Sequence, residues 1–382
     1  MFSRRMFLQT ASASLAFAGV PLIGYTADLP TGNIVVILLE GGLDGLTAVP
    51  PIGDPSLEKQ RKILLSASPI KLNPFFGLHP SLGGYAGMMA DGNATVVHAT
   101  NFPYVQRSHF EGQNVMESGN LQPFSDRTGW LGRALDLAKM PGRALSIDMP
   151  LIIRGGIELD NYYPASLRGS PDPEVGLAEL LMQEHSEVAA QSFQRISEKY
   201  TIPQKFVARD QVSLAKYAGQ QLKNPNGPSA AVFRVAEFDT HALQGSDDGQ
   251  HSRQLTELDD IFLGLKAGLK DAWENTIILT LTEFGRTVRV NGTEGTDHGY
   301  GSAGLLAGGM IRKGQVITQW PGLKTKDLFE ERDLQSTIDY RSVCAACIEK
   351  AYGLDHDQIA ERVFYEPNLP RLTDLIFGLV AS

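Results

Sequence analysis

Short aliphatic runs alternate with longer helical patterns along this chain, and no other feature restricts the fold as much. Asn33–Leu39 is a continuous apolar run, rich in Val and Ile, that ends in Glu40-Gly41-Gly42. It reads as a buried strand feeding a tight loop. Ala94–Ala99, Ser146–Ile153, Ala231–Phe238, Thr276–Leu281 and Leu305–Met310 read as further strands. Between them, Leu82–Met89, Phe110–Ser118, Gly129–Leu137, Glu174–Lys199, Lys205–Leu222 and Leu255–Ala272 carry helical patterns. Strands alternating with helices from end to end predict an α/β domain, a mostly parallel sheet between helical layers. No internal repeat or low-complexity block interrupts it, and Asn224–Ser229 reads as a turn rather than a linker.

The first residues form a separate unit. Ser3, Arg4, Arg5, Met6, Phe7, Leu8 and Gln9 precede a short, mildly apolar run from Leu15 to Tyr25, broken by Pro21, with Thr26-Ala27 as a cleavage site. A basic start, an apolar centre and small residues near the cut make a secretory signal, and a run this short is not a membrane anchor. The order Ser-Arg-Arg-x-Phe-Leu resembles the twin-arginine consensus. Residues 1–27 are therefore expected to be the signal and 28–382 one domain. The export partner is the twin-arginine machinery, and the destination is the periplasm or the cell exterior. No second apolar stretch in the 382 residues is long enough to span a bilayer. A formal net charge of −9 argues against a nucleic-acid binder, which needs a basic face.

Two familiar motifs dissolve on inspection. Cys344 and Cys347 form C-x-x-C, but with Val343, Ile348 and Ala351 they fall on one helical face of Tyr340–Tyr352. They read as small core residues, with no second cysteine pair to complete a zinc site. Gly299-Tyr-Gly301-Ser-Ala-Gly304 matches G-x-G-x-x-G but follows a loop and precedes a strand-like run, the wrong context for a dinucleotide.

Ligands of open α/β sheets bind beyond the carboxyl ends of the strands. There this chain places Glu40 and Asp44, then Arg107-Ser108-His109, then Asp239-Thr-His241, then Glu283-Phe284-Gly285-Arg286, and finally Asp297-His298. Aspartate and histidine together offer the mixed oxygen and nitrogen ligands that suit zinc, manganese or a similar divalent ion. His98, inside an apolar run, reads as a satisfied core residue, and His79 as a loop residue near the site.

The strings "ILLEGGLDGLTAVPP", "RSHFEGQNVMESG", "FDTHALQ", "TLTEFGRTVRVNGTEGTDHGYGSAGLLAGG" and "DYRSV" resemble the DUF1501 family. That family is related to the alkaline phosphatase and sulfatase superfamily. The resemblance implies a three-layer α/β/α sandwich, alkaline phosphatase-like, with a divalent metal (zinc, manganese, magnesium or calcium) at the strand ends. It assigns Asp44 (or Glu40), Asp239, His241, Glu283, Asp297 and His298 to metal. Ser108, at a helix N-terminus, becomes the nucleophile, with Arg107, His109 and Arg286 around an anionic ester substrate. Phe284 stands where the superfamily has a histidine ligand, a gap that His251, His109 or Asp248 would fill. The expected function is metal-dependent hydrolysis of phosphate or sulfate esters. The alternative is a non-catalytic exported protein that keeps the fold and binds a ligand or partner.

Overall fold

Strand β1 (Asn33–Leu39) is the axis of the molecule, and all seven of its residues are buried. A strand covered on both faces needs the uninterrupted apolar run that this one has. The computed structural model describes residues 32–145, 149–156, 158–161 and 211–378. The strands that follow are β2 (Ile70–Lys71), β3 (Gly77–Leu78), β4 (Ala94–Asn101), β5 (Gly142–Ala144) and β6 (Leu159–Asn161). They continue as β7 (Ala230–Val235), β8 (Thr276–Leu281), β9 (Ser302–Ala307), β10 (Gln315–Ile317) and β11 (Ile338–Asp339). Among the described residues, nine strands form one sheet in the order β10-β4-β9-β8-β1-β7-β5-β6, with β11 also paired to β4. The pairs are parallel except for β9, which runs antiparallel to both β4 and β8. The sheet is mixed but mostly parallel.

Helices cover both faces. Among the described residues they are α1 (Gly45–Ala48), α2 (Leu57–Arg61), α3 (Gly83–Ala90), α4 (His109–Ser118), α5 (Trp130–Ala138), α6 (Gln211–Leu222), α7 (Gln250–Leu269), α8 (Tyr340–Tyr352), α9 (His356–Arg362) and α10 (Thr373–Phe377). Alternate residues of β1 face opposite layers. Ile34, Val36 and Leu38 share a core with Met116 of α4, Trp130 of α5 and Val343 of α8. Val35, Ile37 and Leu39 share another with Met88 of α3, Leu214 of α6 and Phe262 of α7. Each such aliphatic side chain contributes roughly 1.5–3 kcal/mol by leaving water. The three-layer α/β/α architecture expected from the sequence is the observed one.

Several boundaries shift for local reasons. The run expected as a strand over Ser146–Ile153 is, where described, a 3-10 turn at Leu151–Ile153 following Pro150; residues 146–148 lie outside the described segments. Pro150 has no N–H for a ladder, and the Ile152 N–H donates instead to the buried Glu117 carboxylate at 2.9 Å. The run expected over Ala231–Phe238 leaves the sheet at Val235, and Glu237 turns the chain at φ +71°. The expected signal at 1–27, the helix over Glu174–Lys199 and the first residues of the helix over Lys205–Leu222 lie outside the described residues. Cys344 and Cys347 are free and fully buried on α8, and burial raises both thiols above their usual pKa. No helix among the described residues is long and apolar enough to cross a membrane.

Candidate metal centre

The parallel register of β1, β7 and β8 brings their carboxyl ends level. Leu39 pairs with Val235, and Leu38 with Leu281. The loops that follow therefore meet at one edge. At Gly41 they meet so closely that a Cβ would stand 2.4 Å from the Asp239 amide nitrogen, and φ there is +113°. Only glycine fits such a position. Its N–H donates to Glu283 Oε1 at 2.8 Å, and its carbonyl accepts from Arg286 at 3.0 Å.

Asp239 is the centre of what these loops assemble. Its Oδ1 lies 3.0 Å from His241 Nε2 and 3.1 Å from His298 Nε2, and the two imidazole nitrogens are 3.0 Å from each other. Its Oδ2 lies 3.4 Å from His109 Nε2. One ligand atom each from His109, Asp239 and His298 lies within 4.8 Å of the other two. The His109 Nε2 is buried and, despite its nearness to Asp239, has no hydrogen-bond partner among the described residues.

The far side of each ring explains why these nitrogens face inward. His109 Nδ1 is 2.8 Å from Glu283 Oε1, His241 Nδ1 is 3.1 Å from Asp297 Oδ1, and His298 Nδ1 is 3.0 Å from the Arg107 carbonyl. An acceptor at Nδ1 places the proton of a neutral imidazole there and leaves the Nε2 lone pair free. Three such lone pairs then converge on one carboxylate. Histidine metal ligands are oriented this way, with the outer nitrogen donating to a carboxylate or a backbone carbonyl. Lone pairs 3 Å apart repel unless a proton or a cation lies between them. The donor set, with spacings near those of an ion held about 2 Å from each atom, fits a divalent metal.

The surrounding charges agree. Burial pushes the Asp239 carboxyl up, but the Arg286 guanidinium, 2.5 Å away, together with His241 and His298, holds it below the usual range. The hydrogen bond to Glu283 raises the pKa of His109. Burial lowers that of His298. Asn291 and His241 hold Asp297 low. Phe284, fully buried, packs its ring 4.7 Å from His298 and 4.9 Å from His109, closing the centre on one side.

Not every residue singled out in the sequence reaches this cluster. Asp44 caps α1, and its fully buried carboxylate binds Arg61, Thr47 and Gln244. Glu40 pairs with Arg234. Glu283 and Asp297 stand behind histidines rather than among the converging atoms. Arg107, at φ +60°, turns its side chain to Glu330 and Asp333. Arg286 is fully buried, bound to Asp239, Gly41 and Thr296. Neither guanidinium is open to an incoming anion. Ser108 is the N-cap of α4 and makes no side-chain cap bond; the Tyr104 hydroxyl accepts its N–H at 3.1 Å. His251, on α7, is buried near Asp44, with neither ring nitrogen partnered among the described residues. His79 and His98 each donate Nε2–H to a backbone carbonyl, those of Ser246 and Val49.

Sequence reasoning saw the strand-end residues but missed the pairing of His109 with Glu283 and of His241 with Asp297. A spacing signal exists for neither, because the partners are 174 and 56 residues apart.

Residues 220–364 match the family model described as "Protein of unknown function (DUF1501)". That span contains Asp239, His241, Glu283, Arg286, Asp297 and His298, but not His109. No curated protein matches the sequence. Among solved structures, the chain is similar to the C-terminal periplasmic domain of EcEptC from Escherichia coli in complex with Zn, with a TM-score of 0.42 and 11% identity over 89% of this chain and 88% of that one. It is also similar to the phosphonate monoester hydrolase of Agrobacterium radiobacter (TM-score 0.40, 11% identity, 75% and 70% covered). A third is a protein of the alkaline phosphatase superfamily from Vibrio parahaemolyticus (TM-score 0.38, 12% identity, 83% and 72% covered).

Proposed function

We propose that the protein is an exported, metal-dependent hydrolase of phosphate or sulfate esters, carried by a single domain over residues 28–382. One observation carries the reading: three histidines, each anchored through Nδ1, turn Nε2 toward the Asp239 carboxylate. Asp239, His241, His298 and His109 would hold a divalent ion, with Glu283, Asp297 and the Arg107 carbonyl fixing the imidazoles. A nitrogen-rich set favours zinc or manganese over magnesium or calcium, which take oxygen ligands. Bound there, the ion supplies Lewis-acid polarisation of an ester oxygen.

The chain's own residues do the rest. Arg286 keeps Asp239 ionised and aimed. Phe284 keeps water from one flank of the imidazoles. Ser108, one residue before His109 and at the start of α4, serves as the nucleophile: its Oγ forms the new bond to phosphorus or sulfur, the ester oxygen departs with the proton the serine gives up, and water then cleaves the seryl ester to release phosphate or sulfate and restore the hydroxyl. Tyr104, bonded in turn to Glu111 Oε2 at 2.8 Å, accepts the Ser108 N–H at 3.1 Å and so holds the start of α4 in place. The twin-arginine start and the folded-state assembly of the centre support export through that pathway to the periplasm.

Metal analysis of purified protein, with a screen of aryl phosphates and aryl sulfates, tests the reading. Close to one zinc or manganese per chain is expected, falling to background in Asp239→Ala. Turnover is expected to be lost in Asp239→Ala and Ser108→Ala, while the serine variant keeps its metal. A chain that binds no divalent ion and cleaves neither ester class overturns the reading. Metal without turnover would favour the binding-protein alternative, which the engagement of Arg107 and Arg286 by carboxylates already motivates.

A further inference from the structure

Helix α4 has two jobs. Its first residue, His109, enters the metal centre. Phe110, Gln113, Asn114 and Glu117 follow at spacings of three, four and seven, which put them on one helical face, and all four line a cavity of about 660 Å³. Small-molecule sites occupy about 300–1,000 Å³. Cavity and metal centre share a wall, because Gln113 Nε2 donates at 3.3 Å to Glu283 Oε1, the atom that also holds His109.

Its lining is amphipathic in a particular way. Phe110 and Phe124 expose 82% and 64% of their surface. Phe124 is held at φ +59°, a conformation a bulky side chain seldom adopts, and its N–H donates to Asn114 Oδ1 at 2.6 Å. Such strain persists where the surroundings impose it, and it gathers at binding sites. Here it fixes an exposed phenyl ring at the cavity. The same lining carries polar groups held at fixed places. Arg234 is clamped between Glu40 and the buried Glu117, whose acid burial raises above the usual range. Arg154 is tied to the Met149 carbonyl at 2.7 Å. Gln113 and Asn114 each keep an amide group that these bonds do not consume.

We propose that this cavity binds a sugar ring, the organic part of the ester that the metal centre would cleave. A pyranose has an apolar C–H face, which stacks on a phenyl ring, and an equatorial rim of hydroxyls, which pairs with carboxylate, amide and guanidinium groups. A plain aryl group would use the rings and draw nothing from the remaining hydrogen-bonding capacity of Arg234, Glu117 and Gln113. The proposal takes its ester chemistry from the reading above, but sugar binding itself needs no ion.

The test separates the two. Saturation-transfer NMR on the full chain, stripped of metal with a chelator, is run with a panel of neutral and sulfated mono- and disaccharides, and with 4-nitrophenol. Saturation of ring protons is expected for a subset of the sugars, with millimolar or tighter affinity. It should weaken at least 10-fold in Phe124→Ala and recover in Phe124→Trp, while both variants, assayed before stripping, carry the parent's metal content. Because Phe124 is exposed, the variants should fold as the parent does, which circular dichroism checks. Silence across the sugar panel, transfer to 4-nitrophenol alone, or sugar binding indifferent to Phe124→Ala overturns the proposal. None of these results bears on whether the centre holds metal.

Discussion

Two clusters in the molecule each centre on an aspartate, and they are built oppositely. Around Asp44, donors surround a carboxylate: Arg61, Thr47 and Gln244 all give it protons, and it is fully buried. Around Asp239, imidazoles surround a carboxylate: His109, His241 and His298 turn Nε2 toward it, with acceptors at each Nδ1, and Arg286 donates to it. The first cluster is complete as it stands. The second, on the reading proposed above, would be completed by a cation. Residue identity alone would rank Asp44 and Asp239 as equal candidates for metal; what separates them is whether the neighbours bring protons or lone pairs.

That contrast can be broken most forcefully at Arg61. Arg61→Met leaves Asp44 charged and buried, so chemical denaturation should show a loss of about 3–5 kcal/mol, with metal content unaltered in the folded fraction. A loss of metal without a loss of stability would reverse the roles assigned to the two clusters.

Acid should discriminate next. His251 beside Asp44 and His98 in β4 are held by burial at pKa values of about 4, against 6.5 for free histidine. Above pH 6.5 both folded and unfolded chains leave them neutral. Below it the unfolded chain takes up the protons first, so stability falls between pH 6.5 and 4, by about 3 kcal/mol for each buried ring. Denaturation midpoints at pH 7, 5.5 and 4.5 should trace this slope, and His251→Phe should flatten part of it. An unchanged slope in that variant would mean that its imidazole is not protonated on unfolding.

The mildest perturbation sharpens the comparison from the metal side. Glu283→Gln and Asp297→Asn keep the shape of the centre but weaken the hold on His109 and His241. Competition against a chelating dye should show zinc affinity reduced about 10–100-fold in each. An undiminished affinity would leave those carboxylates without a part in orienting the rings.

Much of the architecture was legible in the sequence, and the exceptions are instructive. β1, β8 and α8 have the bounds their patterns predicted, because burial on both faces or a sustained stripe leaves little freedom. The direction of β9 was not legible. Its residues are as apolar as those of a parallel strand, and orientation depends on partners far away in the chain. At the site, the loop positions of Asp239, His241 and His298 followed from the rule that ligands gather at strand ends. The diversion of Asp44 to Arg61 did not, because an arginine on α2 gives no sign in sequence of where its guanidinium will reach. The guanidinium groups of Arg107 and Arg286, expected to meet an anion, look equally available until Asp333 and Asp239 are seen against them.

The central place of β1 also sets a timetable. Gly41 meets Glu283 across 242 residues, and Arg286 returns to Gly41 across 245. A growing chain passes through most of its synthesis before either partner exists, and closing loops of this length is slow compared with forming local contacts. The histidine cluster is therefore among the last things the protein acquires. A chain halted before His298 would carry His109, Asp239 and His241 but lack one of the three imidazoles that meet at the carboxylate.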